Sequence, residues 1–201
     1  MIKNIVFDIG NVLADFRLKE YLIGKGLDGP TIKRVLAASI MTPEWDEFDK
    51  GMFDDDEALE RFASYDPELK ETLNSVYRKI SGMIVPFDYS EEWVRSLKEA
   101  GFGIYYLSNF SRKAYEECNE SLAFMKYADG GAMSFQEHVI KPDPELYRRL
   151  LQRYDLKAEE CIFIDDTQKN VDAALELGFK AILFTTKEQA EKDIQSLLEN
   201  V

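Results

Sequence analysis

The sequence predicts an α/β fold, a mostly parallel sheet covered by helices on both faces, with a helical block inserted just after the first strand. Three observations carry this. The apolar run Ile5-Val6-Phe7 ends on Asp8 and is broken at Gly10-Asn11, as expected of a strand buried on both faces that stops at a loop. From Pro86 onward helical and strand patterns alternate, which is the rhythm of βα units. Between about Asp15 and Pro86 the periodicity is helical and no strand is expected.

Each element has its own signal. Residues 31–41 set Ile32, Val35, Leu36 and Ile40 on one helical face. Thr42-Pro43-Glu44 reads as an N-cap followed by proline at the first helical position, leading into Trp45 and Phe48. Residues 54–65 carry Ala58, Leu59 and Phe62 behind an acidic first turn, which the helix dipole favours. That explains Asp54-Asp55-Asp56-Glu57 better than a metal site does. Asp66-Pro67-Glu68 repeats the cap-and-proline start before Leu69, Leu73, Val76 and Ile80. Beyond Pro86, residues 90–100 form an amphipathic helix stopped by Gly101, and residues 104–107 a strand ending in Ser108-Asn109. A helix begins near Ser111, and a short strand spans 132–134. Asp143-Pro144 opens a helix reaching about Tyr154. Residues 161–164 make a strand ending in Asp165-Asp166, followed by a helix over 169–177 and a last strand at 181–184. Thr186 and Gln189 form a capping box for the final helix.

Composition bounds the function. The chain has 201 residues, 45% of them hydrophobic, enough for one substantial core with an insertion. A net charge of −13 repels phosphate backbones, so no nucleic-acid partner is expected. An anionic substrate must then be drawn in by a local positive group or a cation. Cys118 and Cys161 have no metal-like spacing, and a reducing cytoplasm is the expected compartment. The N-terminus lacks the ordered regions of a signal peptide, and no apolar run would span a bilayer. A cytoplasmic monomer or homodimer without membrane contact is the expectation.

Three predicted strand ends present polar groups: Asp8, Ser108-Asn109 and Asp165-Asp166. Lys141 lies in the loop before the helix at Asp143. In a parallel sheet such ends converge on one edge, where ligands sit. Carboxylates meeting there would repel one another without a hard cation between them, and Mg²⁺ suits an all-oxygen site. Ser108, backbone N–H groups at the next helix start and Lys141 could hold an oxyanion. This arrangement fits displacement at phosphorus with Asp8 as nucleophile.

On these residues the sequence resembles the haloacid dehalogenase-like hydrolase superfamily over nearly its whole length. Asp8-Ile9-Gly10-Asn11-Val12 matches the first motif, Asp-x-Asp-x-Thr/Val. Ser108 in Leu107-Ser108-Asn109 matches the second, Lys141-Pro142-Asp143-Pro144 the third, and Asp165-Asp166 the acidic pair of the fourth. The resemblance implies a Rossmann-like core over residues 1–14 and 87–201, a helical cap over 15–86, and Mg²⁺ held by Asp8, the Gly10 carbonyl, Asp165 and Asp166. It further implies a phosphatase acting on a small phosphate ester, such as a hexose 1-phosphate, with Ser108 and Lys141 holding the phosphoryl group and Asn109 and Asp15 near the substrate. The alternatives are a 2-haloacid dehalogenase, which needs no metal, and a non-catalytic phospho-ligand binder.

One departure from the family pattern matters. Its phosphatases carry a second aspartate, two residues after the nucleophile, as general acid and base; here that position is Gly10. The metal-binding carbonyl is kept and the acid/base help, typically worth ~10²–10⁴-fold, is lost. A better leaving group, such as an anomeric oxygen, would need less of it, and Asp15 is the nearest candidate to supply the rest, although it also reads as a simple helix cap. His138, the only histidine, reads as structural. Asn11 reads as shaping the loop, Trp45 and Phe48 as cap core more than substrate platform, and Asp172 as either a Lys141 partner or a solvated helix face.

Overall fold

The computed structural model describes residues 1–199. The chain opens with β1 (Asn4–Phe7) and β2 (Ala14–Phe16). Helices α1 (Leu18–Gly24), α2 (Gly29–Ala38), α3 (Pro43–Asp49), α4 (Asp55–Tyr65) and α5 (Lys70–Tyr77) follow, with a 3-10 turn (Pro67–Leu69) before the last. Then come β3 (Ile84–Pro86), α6 (Ser90–Glu99), β4 (Gly103–Ser108), α7 (Arg112–Glu117) and a kinked 3-10 stretch (Asn119–Tyr127). The remainder is β5 (Gly130–Met133), α8 (Ser134–Glu137), α9 (Pro144–Arg153), β6 (Cys161–Asp165), α10 (Gln168–Glu176), β7 (Lys180–Leu183) and α11 (Lys187–Glu199).

The main sheet has the order β5-β4-β1-β6-β7, and all its pairings are parallel. This is the α/β class the βα rhythm predicts. Strand side chains divide by parity. Ile5, Phe7, Ile104, Tyr106, Ile162 and Ile164 pack on one face, whereas Val6, Leu107, Cys161 and Phe163 pack on the other with Leu146, Tyr147 and Leu150 of α9. Both faces being covered explains why β1 and β6 are unbroken apolar runs. The chain leaves β1 for β4 on one side and returns to β6 on the other, so the carboxyl end of β1 lies at the crevice where ligands bind in open α/β sheets.

One expectation is corrected here. Residues 15–86 are not free of strands: β2 and β3 pair antiparallel, with Ala14 opposite Pro86 and Phe16 opposite Ile84. Each strand has three residues, too few for an alternating pattern to show, and their pairing joins residues far apart in sequence. The five helices α1 to α5 lie between these two strands. The cap expected at Asp143 forms, accepting from the Glu145 N–H, and Asp54 and Ser111, at two of the expected helix starts, cap them by accepting from the Glu57 and Ala114 N–H groups. Two expected caps do not form. Thr42 Oγ1 donates to the Ser39 carbonyl at 2.6 Å, and Asp66 pairs with Arg34 at 2.7 Å instead of capping. In the last helix Thr186 Oγ1 accepts from the Gln189 N–H at 3.2 Å, as a capping box requires, while Gln189 Oε1 accepts from the Thr185 N–H at 3.0 Å, one residue earlier than the box would have it. No described helix is long and apolar enough to cross a membrane.

Candidate active site

The site is built from the ends of the three central strands. Asp8 follows β1, where its N–H donates to the Ile164 carbonyl of β6 at 2.9 Å. Ser108 closes β4 and Asp165 closes β6. Parallel pairing in register therefore brings the three side chains together. The Asp8 Oδ1 atom accepts from the Ile9 N–H and the Ser108 hydroxyl, both at 2.7 Å, and stands 2.8 Å from Lys141 Nζ. All three contacts fall on the same oxygen; Oδ2 has no partner among the described residues.

Lys141 is 2% exposed, and its ammonium bridges Asp8 and Asp165, at 2.7 Å from Asp165 Oδ2. Burial alone would lower its pKa, but the two carboxylates outweigh burial and hold it above the ordinary lysine value. Burial also pushes the Asp8 carboxyl up to about 6, against the opposing pull of Lys141. The loop that carries Lys141 is fastened by Asn109, whose Oδ1 accepts from the Lys141 N–H at 2.8 Å and whose Nδ2 donates to the Lys141 carbonyl at 3.2 Å. Asn109, expected near the substrate, thus spends both amide atoms on placing the lysine, although it also lines the cavity described below. Asp165 is fully buried, and its oxygens accept from Lys141, the Thr167 N–H and Asn170 Nδ2. Asn170 was not legible as a site residue; its one signal is its place on the first turn after the acidic pair.

Oxygens of Asp8, Asp165 and Asp166 lie within 4.8 Å of one another. Opposite ligands of an octahedral Mg²⁺ stand about 4.2 Å apart, so the cluster needs little tightening to fit that ion. Charge agrees: three carboxylates against one ammonium leave two negative charges uncompensated. Asp166 is the more open of the pair, held by Asn11 Nδ2 at 3.0 Å and by the Thr167 hydroxyl at 3.2 Å. Asn11 adopts φ 56° to make this turn. The donor set fits a hard divalent cation.

A cavity of about 240 Å³ opens over these groups. Asp8, Gly10, Asn11, Asn109, Asp166 and Thr167 form its sheet end. Its opposite wall is apolar, made chiefly by Phe16, Trp45, Phe48, Leu59, Phe62 and Met83. Trp45 stacks on Phe62 with centroids 5.8 Å apart and meets Phe48 edge-on at 6.2 Å. Trp45 and Phe48 therefore serve both as packing for the helical segment and as cavity wall. The polar side chains on that wall are mostly engaged. Tyr77 Oη is 2.7 Å from Ser39 Oγ, and Asp55 is 2.8 Å from Lys113 Nζ. Asp49 is the exception, a half-buried carboxyl with no ion pair among the described residues.

The remaining candidates lie elsewhere. Asp15 is on β2 and pairs with Arg17 at 3.5 Å; strand alternation that turns Phe16 into the cavity turns Asp15 away from it. His138 is structural, with φ 56° at the end of α8 and Nδ1 2.9 Å from the Lys50 carbonyl. Asp172 accepts from Gln168 at 2.7 Å on the face of α10 and does not reach Lys141.

Comparison with known proteins agrees with this architecture. Residues 2–178 match the family described as haloacid dehalogenase-like hydrolase. The chain is 26% identical to a sesquiterpene phosphatase of Aspergillus oryzae over 91% of its own length and 90% of that protein's. It is also 26% identical to a D-ribitol-5-phosphate phosphatase of Bacteroides thetaiotaomicron, over 90% of each. Among solved structures it resembles the HAD family enzyme bt-2542 of the same bacterium in complex with magnesium and inorganic phosphate. That match has a TM-score of 0.70 at 19% identity, covering 93% of this chain and 96% of the other.

Proposed function

This chain belongs to the haloacid dehalogenase-like hydrolases, and on that premise we propose that it is a Mg²⁺-dependent phosphatase. It would cleave a small phosphate monoester through an aspartyl-phosphate on Asp8, with residues 15–86 acting as a cap over the site. The observation that carries the reading is the division of labour within one carboxylate. Ile9, Ser108 and Lys141 fix Oδ1, which leaves Oδ2 as the attacking oxygen on the cavity wall. Asp8, Asp166, the Gly10 carbonyl and, directly or through water, Asp165 would hold the ion, which when bound offsets charge on the transferring phosphoryl group. Lys141 and Ser108 orient Asp8 and, in this reading, would also meet phosphoryl oxygens once an ester is bound. Asn109, Asn170 and Thr167 keep Lys141 and Asp165 in place. The two uncompensated charges of the cluster favour this reading over a metal-free dehalogenase; halide release indifferent to a chelator would reverse that preference.

The organic group of the ester is, in this reading, apolar. The two phosphatase relatives act on a sesquiterpene and on a sugar alcohol phosphate, so their names do not decide. The wall of Phe16, Trp45, Phe48, Leu59, Phe62 and Met83 supports the apolar reading. A hexose buried there would leave several hydroxyls without partners, at about 1–3 kcal/mol each, whereas an isoprenyl or aryl group would gain from the burial. The test is phosphate release from prenyl, alkyl, aryl and hexose phosphates. We expect kcat/KM at least tenfold higher for the apolar esters; a hexose phosphate at the top of the ranking would overturn the assignment. Asp8→Asn should abolish turnover with an unchanged circular dichroism spectrum, and substantial residual activity would refute the nucleophile.

A further inference from the structure

We propose that Asp49, on the helical segment, is the proton donor and acceptor of this reaction, taking the part that Gly10 has no side chain to play. The inference rests on the phosphatase reading above. Asp49 is the last residue of α3 and lines the same cavity as Asp8, Gly10 and Asp166. Its backbone is tied to the loop beside the nucleophile by one hydroxyl: Ser134 Oγ donates to the Asp49 carbonyl at 2.6 Å and accepts from the Phe110 N–H at 2.8 Å. Phe110 stands two residues beyond Ser108, whose own hydroxyl holds Asp8. Further contacts keep this end of α3 down. His138 Nδ1 meets the Lys50 carbonyl, and Gly51, at φ +68°, lies so close to α8 that a Cβ there would come within 2.8 Å of the Phe135 carbonyl oxygen.

Space and competition both favour Asp49. A Cβ built on Gly10 would meet nothing within 4 Å, so room for a proton-transferring side chain exists above the nucleophile. Of the four carboxyls on the cavity, Asp8 and Asp166 belong to the acidic cluster and Asp55 is committed to Lys113. Burial, reinforced by Asp46, pushes the Asp49 carboxyl up to about 7, with a hydrogen bond from Trp45 opposing. It can therefore both hold and release a proton near neutrality. The charged groups around it are Asp46 on its own helix, the Lys50–Glu47 pair, the Lys113–Asp55–Glu117 set, His138, and Asp8 and Asp166 at the sheet end.

In the first step Asp8 Oδ2 forms a bond to phosphorus. The bond from phosphorus to the ester oxygen breaks, and the Asp49 proton passes to that oxygen to release a neutral alcohol. In the second step the Asp49 carboxylate takes a proton from water as the water oxygen attacks phosphorus. The bond to Asp8 breaks, giving inorganic phosphate, a free Asp8 carboxylate and a protonated Asp49.

The test compares wild type, Asp49→Asn and Asp49→Glu, with Mg²⁺ present, on n-hexyl phosphate and p-nitrophenyl phosphate from pH 5 to 9. Hexanol needs a proton to leave and nitrophenolate does not. Asp49→Asn is expected to lower turnover of hexyl phosphate about 10²–10⁴-fold and to lose the high-pH limb that wild type shows. On p-nitrophenyl phosphate it should give a burst of one nitrophenolate per enzyme followed by slow turnover. Asp49→Glu should recover part of the loss. Asp49→Asn with unchanged hexyl phosphate turnover, or with burst and steady rate reduced alike and the pH limb intact, overturns the role of Asp49 alone. A wild type that releases phosphate from neither ester overturns the phosphatase reading with it.

Discussion

At the scale of single residues, what the site needs and what the fold tolerates are opposed at Asp49. Its carboxyl ionises only near pH 7 in the folded chain and near its ordinary value, some three units lower, in the unfolded one. Between those values the folded chain holds a proton that the unfolded chain has lost, so raising the pH costs stability. Asp49→Asn removes that cost. The variant should nearly match wild type at pH 4 and melt several degrees higher at pH 8, in calorimetric scans at the two values. Three pKa units correspond to at most about 4 kcal/mol, and each kcal/mol moves the melting temperature about 2–4 °C in a chain of this size. A lower melting temperature at pH 8 would contradict the assigned titration. Such residue-scale detail was only partly legible in the sequence. Asp8, Ser108, Asp165 and Asp166 could be picked out because strand ends in a parallel sheet share one edge, and Lys141 because it is a lone cation in the loop that leads into the capped helix at Asp143. Asn170 and Asp49 could not, since each acts through a tertiary approach that no local spacing announces. Asp15 showed the converse: near the site in sequence, it is turned away by the pleat.

At the scale of elements, the seating of α3 on α8 depends on Gly51. A methyl group there would meet the Phe135 carbonyl at 2.8 Å in a left-handed conformation that alanine disfavours. Gly51→Ala should cost about 1–3 kcal/mol in urea unfolding and lower kcat on every ester by displacing Asp49. Unaltered activity and stability would show that α3 is seated by other contacts. Helix starts were readable where a side chain closes its own turn, as at Asp54, Ser111 and Asp143. They misled where the capping residue had a stronger distant partner, as Asp66 has in Arg34. The strands β2 and β3 escaped notice for a related reason: three residues give no period, and only the partner strand defines them.

At the scale of the whole molecule, a chain of net charge −13 concentrates three carboxylates at one crevice, and a divalent ion that binds only the folded state must raise its stability. Mg²⁺ at a hundred times its dissociation constant is worth about 2.7 kcal/mol, so the melting temperature in Mg²⁺ should exceed that in a chelator by several degrees. Asp166→Asn should shrink the difference. An equal shift in both proteins would place the ion elsewhere. The pairing of β2 with β3 bears on how such a molecule would open. The two passages of chain between sheet and helices are laced to each other, Arg17 N–H to Met83 carbonyl and Phe87 N–H to Leu13 carbonyl, so neither can slide without the other. Any opening of the helical segment would therefore have to carry both passages, and the five helices between them, together. Trp45, Phe62 and Asp49 would then arrive over a bound ester, and depart from it, in a single stroke.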